Sequence, residues 1–194
     1  MSSDVTLETI LTEARSFKFY TDKPVEEEKL RTLYEMAKLA PSASNSCPMR
    51  ITFVTSEEGK AKVLEASMPG NVDKIKSAPV TAIIAYDMAY FDHYPTLAPH
   101  MEMPSKEASL PEAKLEMLAL RNSSLQAGFL MVAARSMGLD CGPMSGFKND
   151  VIDNLFYEGT TWRSNFLLNL GYGDGDKLHP RAARLSFDQA CQFA

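Results

Sequence analysis

The stretch Arg15-Ser16-Phe17-Lys18 places two cations and a hydroxyl within four residues, a set suited to gripping a phosphate. It reads as well as the solvated end of a helix, because surface charges are commonplace. A second cluster, Pro41-Ser42-Ala43-Ser44-Asn45-Ser46-Cys47-Pro48, sets small hydroxyl and amide side chains between prolines. Such a loop is stiff and rich in hydrogen-bonding groups, although a plain connection has the same composition. A third, Asp140-Cys141-Gly142-Pro143-Met144-Ser145-Gly146-Phe147, carries two glycines and a proline, as a backbone does where it must approach something closely or simply turn between helices. The fourth, His179-Pro180-Arg181-Ala182-Ala183-Arg184, pairs arginines on a tail that either completes an anion site or lies exposed.

Self-sufficient catalytic motifs are missing from the chain. It has no G-x-G-x-x-G after a strand, no Walker loop and no G-x-S-x-G, and His93, His100 and His179 lack metal-ligand spacing. If the protein is an enzyme, a cofactor carries the difficult step.

The elements that must position these clusters follow from periodicity. Leu30, Leu33, Tyr34, Ala37 and Leu39 predict a helix over 26–40, with Glu26, Glu27 and Glu28 at its positive end and prolines on both flanks. Residues 51–54 and 80–86 read as strands, the second (VTAIIAY) buried on both faces. Helical pieces are expected over 60–66 and 72–76, and residues 88–109, rich in Pro, His, Met and Tyr, read as a long excursion or flap. A long central helix is predicted over 111–137 and stopped by Gly138. A short helix over 150–157 and a last buried strand over 165–172 complete one α+β domain spanning 1–194.

Composition bounds the partners. Twenty basic against twenty-five acidic side chains give a net charge of -5, and no Lys/Arg block exceeds two residues, which argues against nucleic acid. No apolar run approaches the ~18 residues that span a bilayer, so no membrane partner is expected. Cys47, Cys141 and Cys191 are odd in number and far apart, and the N-terminus has no secretory pattern; a cytoplasmic, unprocessed chain fits both observations.

The order of the four clusters adds a resemblance. The R-S-x-K run followed by T-D-K-P-V, the A-P-S-x-x-N loop with a later proline, N-x-x-K before an apolar strand, G-P-M-S-G-F after a long helix and the terminal arginine pair together resemble the nitroreductase family, from about Arg15 to Leu185. Within it, the stretches GNVDKIKSAPV, GLDCGPMSGF, RSNFL, NLGYGD and PRAARLSFDQAC are most similar to the malonic semialdehyde reductases of bacterial pyrimidine utilisation. The first motif departs from the family in having Ala14 where a second arginine is frequent, and Cys47 and Met49 stand where Gln and an aromatic residue are common.

The resemblance implies a central mixed sheet flanked by helices, in an intertwined homodimer with FMN at the interface and NADH or NADPH as co-substrate. Arg15, Ser16, Lys18, Arg181 and Arg184 would hold the phosphate and ribityl end, and Pro41, Ser42 and Asn45 would reach the flavin from the other subunit. Asn71 and Lys74 would meet its pyrimidine edge, while Pro143, Met144, Ser145 and Gly146 would pack by backbone near N5. Asn122 on the central helix is a further candidate. The implied reaction is a ping-pong reduction of malonic semialdehyde to 3-hydroxypropionate. Arg50, Lys74 or the flap would meet the substrate carboxylate, and water, Tyr90, Tyr94 or His93 would supply the proton. The alternatives are a broad nitroaromatic or quinone reductase and a non-catalytic flavin-binding protein.

Overall fold

All eight residues of Val80–Asp87 are buried, and the layers are built outward from this strand. The computed structural model describes residues 6–101 and 107–194. Its four strands are β1 (Met49–Val54), β2 (Val80–Asp87), β3 (Asp140–Met144) and β4 (Trp162–Gly171), in the order β1-β2-β4-β3. All three strand pairings are antiparallel. The sheet expected to be mixed thus has its one parallel pairing, among the described residues, in the isolated bridge between Ser16 and Cys141 at the β3 edge.

Alternation along β2 divides the core. Val80, Ala82 and Ile84 face one layer with Leu30, Leu33 and Ala37 of α1 (Glu27–Ala37) and with Ala127, Leu130 and Ala134 of the central helix. Ile83 and Ala85 face the other layer, where they meet Val63 and Ala66 of α2 (Glu57–Ala66), Ile75 of α3 (Pro69–Ser77) and Ile152 of a helix over Asn149–Phe156. Two-sided burial is why the strand reads as a continuous apolar run.

Local signals set the ends of these elements. Ser56 caps α2 by accepting the Gly59 N–H, and Pro69 opens α3 at a position whose N–H has no helical partner. The central helix, Glu112–Ser136, buries Ala119, Asn122, Ser123, Gln126, Ala127, Leu130, Ala133 and Ala134 along one stripe. Gly138 ends it with φ +73°, a left-handed value that favours glycine. Its other face exposes Met117, Leu120, Leu125 and Phe129.

Two segments differ from the sequence reading. Residues 140–144, expected as a close-approach turn, form edge strand β3; Pro143 is tolerated because an edge strand has one unpaired side. The excursion after β2 is in part packed rather than open. Tyr90 and Tyr94 are buried and meet edge to face at 6.3 Å, in a cluster with Tyr86, Ala98 and Ala119. The part of the expected flap over 102–106 lies outside the described residues.

Candidate functional site

The segment after the N-terminal helical turn runs beside the free edge of β3. Phe17 N–H donates to the Cys141 carbonyl at 2.9 Å. Gly142 permits this approach, since a Cβ there would lie 2.4 Å from the Phe17 carbonyl oxygen and 2.5 Å from the Tyr20 hydroxyl. The tail crosses the same segment: Arg15 Nη2 donates to the His179 carbonyl, and Arg181 Nη2 donates to the carbonyls of Thr12 (2.7 Å) and Ala14 (3.0 Å). Arg15, Ser16, Lys18 and Arg181, more than 160 residues apart in sequence, are thereby brought to one place. Arg184 instead turns its Nη1 onto the Ala182 and Ala183 carbonyls of its own segment.

These cations keep their charge uncompensated. Among the described residues no carboxylate lies within ion-pair distance of Arg15, Lys18, Arg181, Arg184 or Lys74, a property they share with Lys23, Lys29, Lys76, Lys114, Arg121, Arg135 and Lys148; what sets Arg15, Lys18 and Arg181 apart is that the chain crossing gathers them. Unpaired positive charge gathered by a chain crossing is what an anion site requires.

A second group lies past the other end of β3. Asn71 is buried; its Nδ2 donates to the Gly146 carbonyl at 3.0 Å and its Oδ1 accepts from Lys74 Nζ at 2.8 Å. A Cβ on Gly146 would stand 2.5 Å from Asn71 Nδ2, so only glycine fits without moving that amide. Asn169 of β4, which sequence reasoning missed, supports the group from below. It is fully buried, accepts from Thr81 Oγ1 at 2.7 Å and donates to the Lys74 carbonyl at 2.9 Å. An asparagine inside the apolar run NFLLNLGY was the available signal, because a buried amide must be hydrogen-bonded. Between the groups, burial pushes the Cys141 thiol up to about 12, which keeps it neutral and unreactive. Pro143 and Ser145 remain exposed and Met144 half-buried along the edge between the groups.

The Pro41–Pro48 loop is conformationally strained. Ser44, Asn45 and Cys47 have φ of 53°, 53° and 40°, left-handed values uncommon for residues other than glycine. Surrounding bonds enforce them. Ser42 Oγ accepts the Cys47 N–H at 3.0 Å, Asn45 Nδ2 donates to the Leu97 carbonyl at 2.8 Å, and Gln126 Oε1 accepts the Met49 N–H at 3.0 Å. Asn122 lies against this loop. Its Oδ1 accepts the Ala43 N–H at 2.7 Å and its Nδ2 donates to the Leu118 carbonyl at 2.9 Å, so this buried amide secures the loop.

Other expected participants are occupied elsewhere. Tyr94 donates to Glu107 Oε1 at 2.9 Å, and both Tyr90 and Tyr94 are buried, so neither side chain opens onto the surface. His93 is exposed and stands 3.9 Å from Asp87. Arg50 is held by Asp87 at 2.6 Å rather than free to meet a carboxylate. A cavity of about 1340 Å³ opens beside α1 and β1, lined by Tyr34, Cys47, Met49, Leu97 and Trp162 among others; none of the expected cofactor residues lines it, whereas Arg50 and His93, expected to meet the substrate, do. No group of His, Cys, Asp and Glu among the described residues has the arrangement of a metal site, and no helix among them is long and apolar enough to cross a membrane.

Residues 11–172 match the model of the nitroreductase family. The chain belongs to the nitroreductase family. A relative from Stutzerimonas stutzeri (strain A1501), named "Putative NADH dehydrogenase/NAD(P)H nitroreductase", is 50% identical over 97% of this chain and 95% of its own length. The similarly named HadB of Ralstonia pickettii is 45% identical over the full length of both. In three dimensions the chain resembles a crystal structure, described as a "putative nitroreductase in complex with FMN", from Exiguobacterium sibiricum 255-15. That likeness has a TM-score of 0.86 at 24% identity, covers 100% of this chain and 99% of the other, and establishes the nitroreductase fold. In this chain the R-S-x-K segment lies beside β3, the strand that opens the G-P-M-S-G-F stretch, as the hydrogen bonds above describe.

Proposed function

We propose that this nitroreductase binds FMN along the exposed edge of β3 and uses it to carry hydride from NADH or NADPH to a small oxidised acceptor. The observation that carries this reading is the spacing of the two polar groups. From Cys141, bonded to the cation segment, to Gly146, bonded to Asn71, is five residues, at most roughly 16 Å if the chain stays extended past the end of β3 at Met144. That leaves room for a phosphate, a ribityl chain and the part of a flavin between its central ring and its pyrimidine edge. The donor chemistry fits as well, with unpaired guanidinium and ammonium groups at one end and an amide beside an ammonium at the other.

When bound, FMN supplies the two-electron exchange, taking hydride from the nicotinamide and passing it to the acceptor in ping-pong order. The chain's residues do the rest. Arg15, Ser16, Lys18 and Arg181 would neutralise the phosphate, with Arg184 joining by rotating off its own carbonyls. Asn71 and Lys74 would hold the pyrimidine edge, where the Lys74 cation favours the negative charge of the reduced ring. Pro143, Met144, Ser145 and Gly146 would support it by backbone at the open strand edge.

The working unit we infer is a homodimer in the cytoplasm. Met117, Leu120, Leu125 and Phe129 form an exposed apolar face on the central helix, the helix whose Asn122 and Gln126 hold the Pro41–Pro48 loop. In this arrangement Pro41, Ser42 and Asn45 of one subunit approach the flavin of the other.

For the acceptor we propose malonic semialdehyde, on the likeness of the RSNFL, NLGYGD and PRAARLSFDQAC stretches to reductases of that substrate. A nitroaromatic or quinone acceptor is the second reading. It is favoured by Arg50, whose engagement with Asp87 leaves no free guanidinium for a substrate carboxylate, and by the names of the relatives. Comparing kcat/KM for the aldehyde acid and for a nitroarene decides between them. Titration of the apoprotein with FMN, followed by flavin fluorescence, tests the cofactor: one equivalent bound per chain is expected, and no binding would overturn the proposal.

A further inference from the structure

Arg50 is the first residue after the strained loop's exit into β1 whose side chain turns back onto it. Its Nη1 donates to the carbonyls of Cys47 and Met49, both at 3.0 Å, and its Nη2 donates to Asp87 Oδ2 at 2.6 Å. Asp87 is fixed in turn: its Oδ1 accepts from Thr161 Oγ1 at 2.5 Å and from the Ala89 N–H at 2.9 Å, and its own N–H donates to the Pro48 carbonyl at 3.0 Å. The two side chains are 17% and 6% exposed.

A largely buried ion pair contributes little net stability compared with an apolar pair of similar volume, because both ions give up hydration. What this pair does contribute is direction. Cys47 has φ +40°, so its carbonyl points off the path that a strand entry would give it, and the Arg50 fork captures that carbonyl. Without the fork, the bonds to Ala43 N–H, Asn45 and Cys47 N–H remain, but the Cys47 carbonyl at the loop's exit loses the donor that fixes it, and the left-handed residues are less firmly held.

We propose that Arg50, oriented by Asp87, is a positioning residue that holds the Pro41–Pro48 loop in its left-handed conformation and thereby sets how tightly FMN is bound. This rests on the proposed role of Pro41, Ser42 and Asn45 as flavin contacts. Because Asp87 also binds the Ala89 N–H, and Asn45 binds the Leu97 carbonyl, the same clamp ties the loop to the excursion that follows β2.

The test is Arg50→Met, alone and with Ser44→Gly, in the full-length protein. Two readouts are needed: the FMN dissociation constant from fluorescence, and amide hydrogen exchange of the loop. Arg50→Met is expected to weaken FMN binding at least tenfold and to speed exchange over residues 42–49 at least tenfold, with exchange over 149–156 unchanged. Glycine adopts positive φ without steric penalty. Ser44→Gly should therefore recover at least threefold of the lost affinity in the Arg50→Met background, while changing the unmodified protein less than twofold. Ile152→Val, in the opposite layer, controls for general destabilisation and should lower Tm with the dissociation constant unchanged. Unchanged loop exchange in Arg50→Met, or weakened FMN binding with no recovery by Ser44→Gly, would overturn the clamp. If the unmodified protein bound no FMN, the proposed function would fall, and loop exchange alone would decide whether the clamp exists.

Discussion

Replacing Arg15 and Arg181 together by alanine removes the two guanidinium groups that meet where the tail crosses the N-terminal segment. A charge-assisted hydrogen bond is worth about 1.5–3 kcal/mol, so two to one phosphate give about 3–6 kcal/mol. Arg15 is half-buried and Arg181 exposed, so solvent screening reduces this to about 1.5–3 kcal/mol. That corresponds to about 10- to 150-fold weaker FMN binding. The double variant also loses three bonds to backbone carbonyls, so weaker binding alone would not separate a phosphate site from a loosened chain crossing. Riboflavin, which lacks the phosphate, makes the separation. Its affinity should change less than twofold while that of FMN falls, and the variant's FMN affinity should depend less steeply on salt than the parent's. Parallel losses for FMN and riboflavin, or none for either, would refute the assignment of these arginines to phosphate.

Other expectations follow from single groups. Gly146→Ala must displace the Asn71 amide, at a cost of about 1–3 kcal/mol in stability with weakened FMN binding, whereas Gly70→Ala, with open space around its Cβ, should leave both unchanged or slightly improved; chemical denaturation and FMN titration read the contrast. Asn169→Leu strands the Thr81 hydroxyl in the core and leaves the Lys74 carbonyl with Ser77 Oγ alone, and should lower stability by about 1–3 kcal/mol in the same denaturation assay. The buried Cys141 thiol keeps its proton to about pH 12, while the unfolded chain releases it near the ordinary value of 9.0. Its contribution is therefore complete below pH 9 and is lost as pH rises, at about 1.4 kcal/mol per unit once the unfolded thiol ionises. Urea midpoints measured from pH 8 to 11 should fall, and Cys141→Ala should flatten that slope.

What was legible in the sequence was what periodicity and turn residues encode locally. Leu30, Leu33 and Ala37 marked α1, VTAIIAY marked the two-faced central strand, and Gly138 marked the end of the long helix. Arg15 and Arg181 meet at the chain crossing and Asn71 bonds Lys74, proximities that only their order along the chain suggested, whereas Arg184 stays on its own segment. What was not legible depended on distant partners. The left-handed Ser44, Asn45 and Cys47 owe their conformation to Asn122, Gln126 and Arg50, none of which is in the loop. Asp140–Met144 looked like a turn because Gly142 and Pro143 weigh against a strand, yet an edge position accepts the proline and the nearby Phe17 carbonyl requires the glycine. Tyr90 and Tyr94 looked like flap residues because nothing local announces an aromatic cluster closed by Ala98 and Ala119.

The central claim is that flavin bound at the β3 edge exchanges hydride with a nicotinamide and then with an acceptor. Anaerobic stopped-flow absorbance of the FMN-loaded protein, mixed first with NADH or NADPH and then with malonic semialdehyde or a nitroarene, tests it most directly. The account predicts bleaching of the oxidised-flavin band with one or both nicotinamides and its recovery on adding the acceptor. A loaded protein whose band does not bleach with either nicotinamide would contradict it.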